Sequence, residues 1–343
     1  MNKLIKKSYK LIISLLFGGF ILYWVYRDFD FKRVSDVFFH GLNWWWMCFS
    51  LLFGVFSHVF RGLRWRQTLE PLGVFPKRSD CINAIFVSYA ANLVVPRLGE
   101  ISRCGVLSKN DQVPFSKSLG TVVTERIIDA FCMLTITGLT LLLQMPVFTR
   151  FFMQTGTKMS SINHLLTTVW FYIALLCIIG IFVLLFYLMR TVSFYPKMKG
   201  TMHNVMEGIN SLKKVRRKPL FAFYTLLIWT CYFFHFYFTF YCFSFTSSLG
   251  LLAGLVMFVG GTFAVIVPTP NGAGPWHFAV KVVLMQFGIT AANAILFALI
   301  VHAMQTLLVI LLGFYGYVTL LFTSRLHSPK EILNTDINTT SKQ

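Results

Sequence analysis

The sequence predicts an all-α polytopic membrane protein with six spanning helices and two shorter, re-entrant helical hairpins broken by Pro and Gly. Three observations carry this. Of 343 residues, 56% are hydrophobic and only 13% charged, where a soluble domain carries about 25% charged residues. Lys and Arg gather in short clusters between long apolar runs, the arrangement that membrane topology produces. Two apolar runs stop at Pro-rich breaks before reaching the roughly 20 helical residues that a hydrocarbon core requires. The clustering also argues against nucleic acid as the partner of the formal charge of +19. The seven cysteines form no Cys-x-x-Cys pair and mostly sit inside apolar runs, so they read as small buried hydrophobes, with no metal site and no disulfide framework.

In chain order, Lys3, Lys6, Lys7 and Lys10 precede an apolar run over residues 11–26. It resembles a signal peptide, but Tyr23, Trp24 and Tyr26 replace a small-residue cleavage site, so it is expected to stay as a first helix. A second helix is expected over 44–60, opened by Trp44, Trp45 and Trp46 and closed by Arg61, Arg64 and Arg66. His58, Arg61 and Arg64, three residues apart, read as a snorkelling interface set. The first broken run follows and ends in Pro96, Arg97, Leu98, Gly99, Glu100, Ile101, Ser102 and Arg103. A third span is expected over 118–145 with Glu125, Arg126 and Asp129 in its first turns, and a fourth over 164–189. After the basic loop 190–218 come an aromatic fifth span over 220–243 and the second broken run, 249–267. That run leads through Pro268, Pro270, Gly272 and Gly274 to an apolar stretch over 276–288, and a last span covers 291–322.

With the amino end inside and both broken segments treated as hairpins, 25 of the 31 Lys and Arg fall on the cytoplasmic side, leaving Arg27, Lys32, Arg33, Arg150, Lys158 and Lys281 outside. This orients the chain in the cell inner membrane with both termini cytoplasmic. The breaks also match. Asn92, Pro96 and Gly99 parallel Ala264, Pro268 and Gly272, each after two spans and before a third. Interrupted segments at corresponding positions of oppositely oriented halves point to an inverted repeat with a transport site between them. The halves are about 1–145 and 164–322 within a single domain over 1–325, followed by a polar tail, 326–343. Eight complete spans, kinked at the prolines, fit the same pattern.

Asn92, Pro96, Arg97, Gly99, Glu100 and Arg103, then Glu125, Arg126 and Asp129, then Pro268, Pro270, Gly272 and Gly274 resemble the transmembrane (flippase-like) domain family of lysylphosphatidylglycerol synthase over roughly 11–322. The resemblance implies a polytopic bundle that moves lipids between leaflets. No stretch here corresponds to the lysyl-transferring domain of the name-giving enzymes, so synthesis of that lipid is not implied. Where the family commonly has an acidic residue after the second break, this chain has Pro275, Trp276 and His277, which opens a proton-linked role for His277 beside the simpler one of a satisfied core histidine.

Helix starts after Gly99 and Gly274 would present unpaired backbone N–H groups to an anion, and Arg97, Arg103 and Arg126 would add guanidinium forks suited to phosphate. An ionisable side chain at membrane depth costs roughly 2.5–3.5 kcal/mol and is by default a functional candidate. The alternative is that Glu100 with Arg103, and Arg126 with Asp129, each three apart on one helix face, simply pair, and that Glu125 and Asp129 pair with Arg97 or Arg103. No Walker motif, nucleotide fingerprint or hydrolase signature is present. The sequence therefore predicts a non-enzymatic translocator, without catalytic residues or cofactor, for a membrane phospholipid or lipid-phosphate substrate. The second expectation is a membrane-embedded transferase, or an accessory subunit partnering an envelope-synthesis enzyme.

Overall fold

The described residues of the computed structural model, 16–27, 29, 32–144 and 211–326, form helices and turns and contain no strand. The first basic cluster, the loop 146–163, the expected span over 164–189, most of the basic loop and the polar tail lie outside them. Ten α-helices follow in order: α1 (Leu16–Tyr26), α2 (Lys32–Asp36), α3 (Trp44–Leu69), α4 (Arg78–Val94), α5 (Leu98–Asn110), α6 (Phe115–Leu143), α7 (Lys218–Tyr237), α8 (Leu251–Ala264), α9 (Pro275–Gln286) and α10 (Ala291–Leu326). Among the described residues, four stretches are long and apolar enough to cross a membrane: Trp44–Leu72, Phe115–Leu143, Lys218–Cys242 and Ala291–Thr323. These are four of the six expected spans; the described part of the first, Leu16–Tyr26, is a shorter apolar helix, and the fourth lies outside the described residues.

Helix α3 departs from expectation. It continues past Phe60 to Leu69, so Arg61 and Arg64 lie within it and are buried, not in a loop at its end. The reading of His58, Arg61 and Arg64 as an interface set is therefore corrected, because each arginine finds carboxylates inside the bundle that offset its loss of water.

Between the long helices sit two pairs of short ones. At 1.5 Å per residue, α4 and α5 are about 25 and 20 Å long, and α8 and α9 about 21 and 18 Å, all below a hydrocarbon core of about 30 Å. Helices α4 and α5 run antiparallel. Lys77 N–H donates to Asp111 Oδ1 at the open end, and Gly99 packs on Ser88 near the turn. Helix α9 folds back on α8, with Trp276 against Gly261 and Val283 against Gly260.

Each pair has its own apolar core. Trp65, Leu69, Cys81, Ile85, Cys104 and Leu107 surround the first, while Phe236, Phe240, Met257, Trp276, Leu284 and Phe297 surround the second. Helix α10 touches both. Its Gly313 and Gly316 lie on Ala90, Phe86 and Asn83 of α4, so closely that a Cβ at Gly313 would strike that of Ala90. Small residues at such a crossing let membrane helices approach. Further back along α10, Thr306 binds Asn271 of the second break. Because α4 and α10 run antiparallel, this sets the second break toward the carboxyl end of α4, and the turn Pro270–Gly272 does pack on α4.

Candidate functional site

At the first break, Val95, Pro96 and Arg97 reverse the chain in three residues. Proline cannot extend α4, and Arg97 completes the turn in the left-handed region at φ 63°. The Gly99 N–H, expected to be free for an anion, is donated to Asn92 Oδ1 at 2.8 Å. A side chain at Gly99 would collide with the Ser88 carbonyl. Asn92 and Gly99 thus clasp the hairpin. Arg97 is exposed at its tip, and Glu100, half-buried one turn into α5, has an oxygen that no described residue hydrogen-bonds.

One face of α5 turns inward and meets the central feature of the molecule. Arg103, 1% exposed, places Nη1 2.7 Å from Glu125 Oε2 of α6, so it does not pair with Glu100 three residues earlier. Its guanidinium lies 4.6 Å over the Trp65 ring of α3. Arg64 reaches both carboxylates, with Nε 3.5 Å from Glu125 Oε1 and Nη2 2.9 Å from Asp129 Oδ1. Arg61 Nη1 is 2.8 Å from Asp129 Oδ2. Arg126, whose side chain is 45% exposed, approaches Asp129 at 3.4 Å from the rim, the pairing that their spacing predicts. The i, i+4 spacing of Glu125 and Asp129 aims both carboxylates at α3, and Arg61 and Arg64 answer one turn apart.

Five of these charges, on Arg61, Arg64, Arg103, Glu125 and Asp129, are buried or nearly so. Among the described residues three buried cations face two anions, an excess of one positive charge in an apolar setting. Donor capacity is in excess too. Arg103 Nη2 and Arg64 Nε make no hydrogen bond with a described residue, and neither Glu125 oxygen has an aligned donor despite the short ion-pair distances. Arg61 extends the cluster by donating through Nε to the Tyr232 hydroxyl at 3.0 Å, which is 2.6 Å from the Tyr89 hydroxyl of α4.

A cavity of about 600 Å³ opens beside this cluster between α6 and α7. Ile128, Phe131 and Ile136 form one wall, Phe221, Leu226 and Trp229 the other, with Lys218 at one end. It is linked to the charges through one side chain, and no charge of the cluster lines it. Thr225, also in its wall, accepts a hydrogen bond from Arg64 Nη1 at 3.3 Å.

The second break contains no ionised pair. After α8 the chain runs through Pro268 and the turn Pro270–Gly272 with Asn271, Gly272 and Gly274 at φ 51°, 72° and 91°. Gly274 needs that freedom and also a missing side chain, since a Cβ there would meet the Gly18 carbonyl of α1 at 2.7 Å. Its N–H, the other expected anion donor, is accepted by His277 Nδ1 at 3.3 Å. His277 is 3% exposed, and its ring is 4.4 Å from that of His302 and 5.7 Å from that of Tyr26. Asn271 donates through Nδ2 to Thr306 Oγ1 at 2.9 Å and accepts at its carbonyl from His302 Nε2 at 3.1 Å. His302 and Thr306 sit one turn apart on α10, and sequence reasoning singled out neither.

The predicted site residues thus separate into two sets. Asn92, Pro96, Arg97, Gly99, Glu100, Arg103, Glu125, Arg126 and Asp129 lie at the first break or in its ion cluster, while Pro268, Pro270, Gly272, Gly274 and His277 form the second. Among the described residues, no group of three His, Cys, Asp or Glu side chains could hold a metal ion.

The sequence has relatives among known proteins. The description "Lysylphosphatidylglycerol synthase TM region" matches residues 11–313, nearly the whole chain. The chain belongs to the lysylphosphatidylglycerol synthase TM region family. Every described element from α1 through most of α10 falls within the family match. A local similarity accompanies it. Glycosyltransferase AglD of Haloferax volcanii is 36% identical over 86 residues, which are 25% of this chain and 13% of AglD. No solved structure matches the chain.

Proposed function

We propose that this member of the family is an inner-membrane lipid translocator that recognises an anionic phospholipid or polyprenyl-phosphate headgroup and catalyses no covalent chemistry. The observation that carries this reading is the buried cluster of Arg61, Arg64 and Arg103 against Glu125 and Asp129 among the described residues, linked through Thr225 to a neighbouring cavity of about 600 Å³ with apolar walls. An excess cation and unused guanidinium donors favour a phosphate, which a planar fork can grip in bidentate fashion. The adjacent cavity suits hydrocarbon. Arg103 rides on the first hairpin while its partner Glu125 is on α6. Displacing the hairpin would separate them and offer Arg64 and Arg103 to a headgroup.

In this reading the two hairpins are re-entrant, six helices span, and the halves 1–145 and 164–322 form an inverted repeat within one domain ending near 325, with both termini and the tail 326–343 cytoplasmic. The shortness of α4, α5, α8 and α9 supports it, as does the shared backbone device at the breaks. A second reading, a transferase or accessory subunit in envelope glycolipid synthesis, draws on the local similarity to a glycosyltransferase. Glu100, Glu125 and Asp129 would then be its acid-base candidates, and an envelope-synthesis enzyme its partner.

Native mass spectrometry of the wild type and of Arg126→Ala and Arg97→Ala tests the proposal. Both side chains are exposed enough to be removed without stranding a buried carboxylate. A discrete phosphate-bearing lipid on the wild type, weakened in Arg126→Ala, is the expected result. Identical nonspecific lipid on all three would move the weight to the second reading.

A further inference from the structure

The hydrogen bonds of the second break assign a protonation state to both of its histidines. His277 Nδ1 accepts the Gly274 N–H, so that nitrogen carries no proton. His302 Nε2 faces the Asn271 carbonyl, which only accepts, so Nε2 carries a proton. Thr306 Oγ1 receives its hydrogen bond from Asn271 Nδ2 and has its own proton to give to His302 Nδ1, 3.5 Å away. His277 Nδ1 is therefore unprotonated, and Asn271, Thr306 and His302 close a ring of bonds that a neutral His302 completes by accepting the Thr306 hydroxyl proton at Nδ1.

We propose that the His277–His302 pair is a proton-binding site whose occupancy opens the second break. A proton taken up from solvent at Nδ1 of His277 converts the acceptor of the Gly274 N–H into a donor. At Nδ1 of His302 it likewise repels the Thr306 hydroxyl proton. In either case an imidazolium forms 4.4 Å from a second imidazole, inside an apolar core, with no carboxylate of the described residues in contact with it. The ionisable groups around the pair do not compensate. Tyr26 of α1 contributes a ring edge, and Lys281 lies one turn along α9 and would repel the new charge. Helix α8 has no ionisable side chain, and α10 has none but His302 between Ala291 and Phe314. On α7, His235 is bonded to Ser50 and Tyr237 to Tyr241, while the last turn of α4 against the break, after Tyr89, carries none. The charged state is relieved by letting water reach the rings, which means releasing Asn271 and Gly274.

The site stands on these contacts alone. Its use as the coupling step of lipid movement rests on the function proposed above. The test therefore involves no substrate: hydrogen–deuterium exchange of the full chain in lipid nanodiscs near pH 5 and near pH 8, corrected for intrinsic exchange, followed in peptides covering residues 265–277. Exchange there is expected to rise on acidification, by up to about tenfold per pH unit if one proton is linked to opening, while peptides of α3 and α6 stay unchanged. His277→Gln and His302→Gln, made singly, keep an acceptor and a donor but cannot take up a proton, so each should flatten the response. Exchange in 265–277 that is independent of pH in the wild type would overturn the proposal, as would a full response persisting in both variants. Neither result bears on lipid binding at the arginine cluster.

Discussion

The two breaks are made alike and held differently. In each, an apolar helix stops at a proline, a non-glycine residue, Arg97 or Asn271, takes a left-handed conformation, and the returning helix begins near a glycine whose N–H is bonded within the break. Around the first, three arginines and two carboxylates are packed between α3, α5 and α6. Around the second, two neutral imidazoles, an amide and a hydroxyl suffice. The backbone device thus specifies a hairpin without specifying its chemistry. The first hairpin is suited to trade one charged partner for another, and the second to respond to a single proton.

The largest effect expected from breaking this contrast lies at the first hairpin. Glu125→Leu leaves Arg103 and Arg64 without their shared carboxylate and should cost about 3–5 kcal/mol in thermal unfolding in detergent. Adding Arg103→Met should restore part of that, and a double variant that loses the sum of the two single losses would show that the pair contributes nothing beyond its separate members. Gly99→Val should come next, through its collision with the Ser88 carbonyl, and reduced trypsin resistance of α4 and α5 would report it. A smaller loss, about 1–3 kcal/mol, is expected for Asn92→Ala, which unpairs the Gly99 N–H. At the second break Thr306→Val, which removes two neutral bonds, should cost about 1–3 kcal/mol. If it cost as much as Glu125→Leu, the contrast between the two breaks would fail. The smallest effect on stability, within about 0.5 kcal/mol, belongs to exposed Arg97→Ala.

The long spans and both breaks were legible because hydropathy and proline act locally. So was the Arg126–Asp129 pair, which depends only on helical spacing. The partnership of Arg61 and Arg64 with Asp129 was not, since it joins positions more than sixty residues apart, and two arginines near the end of an apolar run look like an ordinary membrane-interface set. A usable signal did exist. The i, i+3 arginines and i, i+4 carboxylates are complementary, and four charges at membrane depth need one another. His302 and Thr306 carried a fainter mark, a polar pair one turn apart in a long apolar helix. Nothing local revealed that Asn271 would be their partner. That the glycine N–H groups at the two helix starts are themselves bonded has a related reason. Asn92 and His277 lie close enough in sequence to cap those groups, and fold back to do so.

Helix α10 holds the second break through His302 and Thr306 and the first hairpin through Gly313 and Gly316. The seven residues from Thr306 to Gly313 make about two turns, so both contacts lie on one stripe of the helix. Their angular phase is therefore a design constraint. One extra residue between them would swing the glycines about 100° away from α4 while leaving His302 in place, whereas a seven-residue insertion would keep the phase and lengthen the spacing.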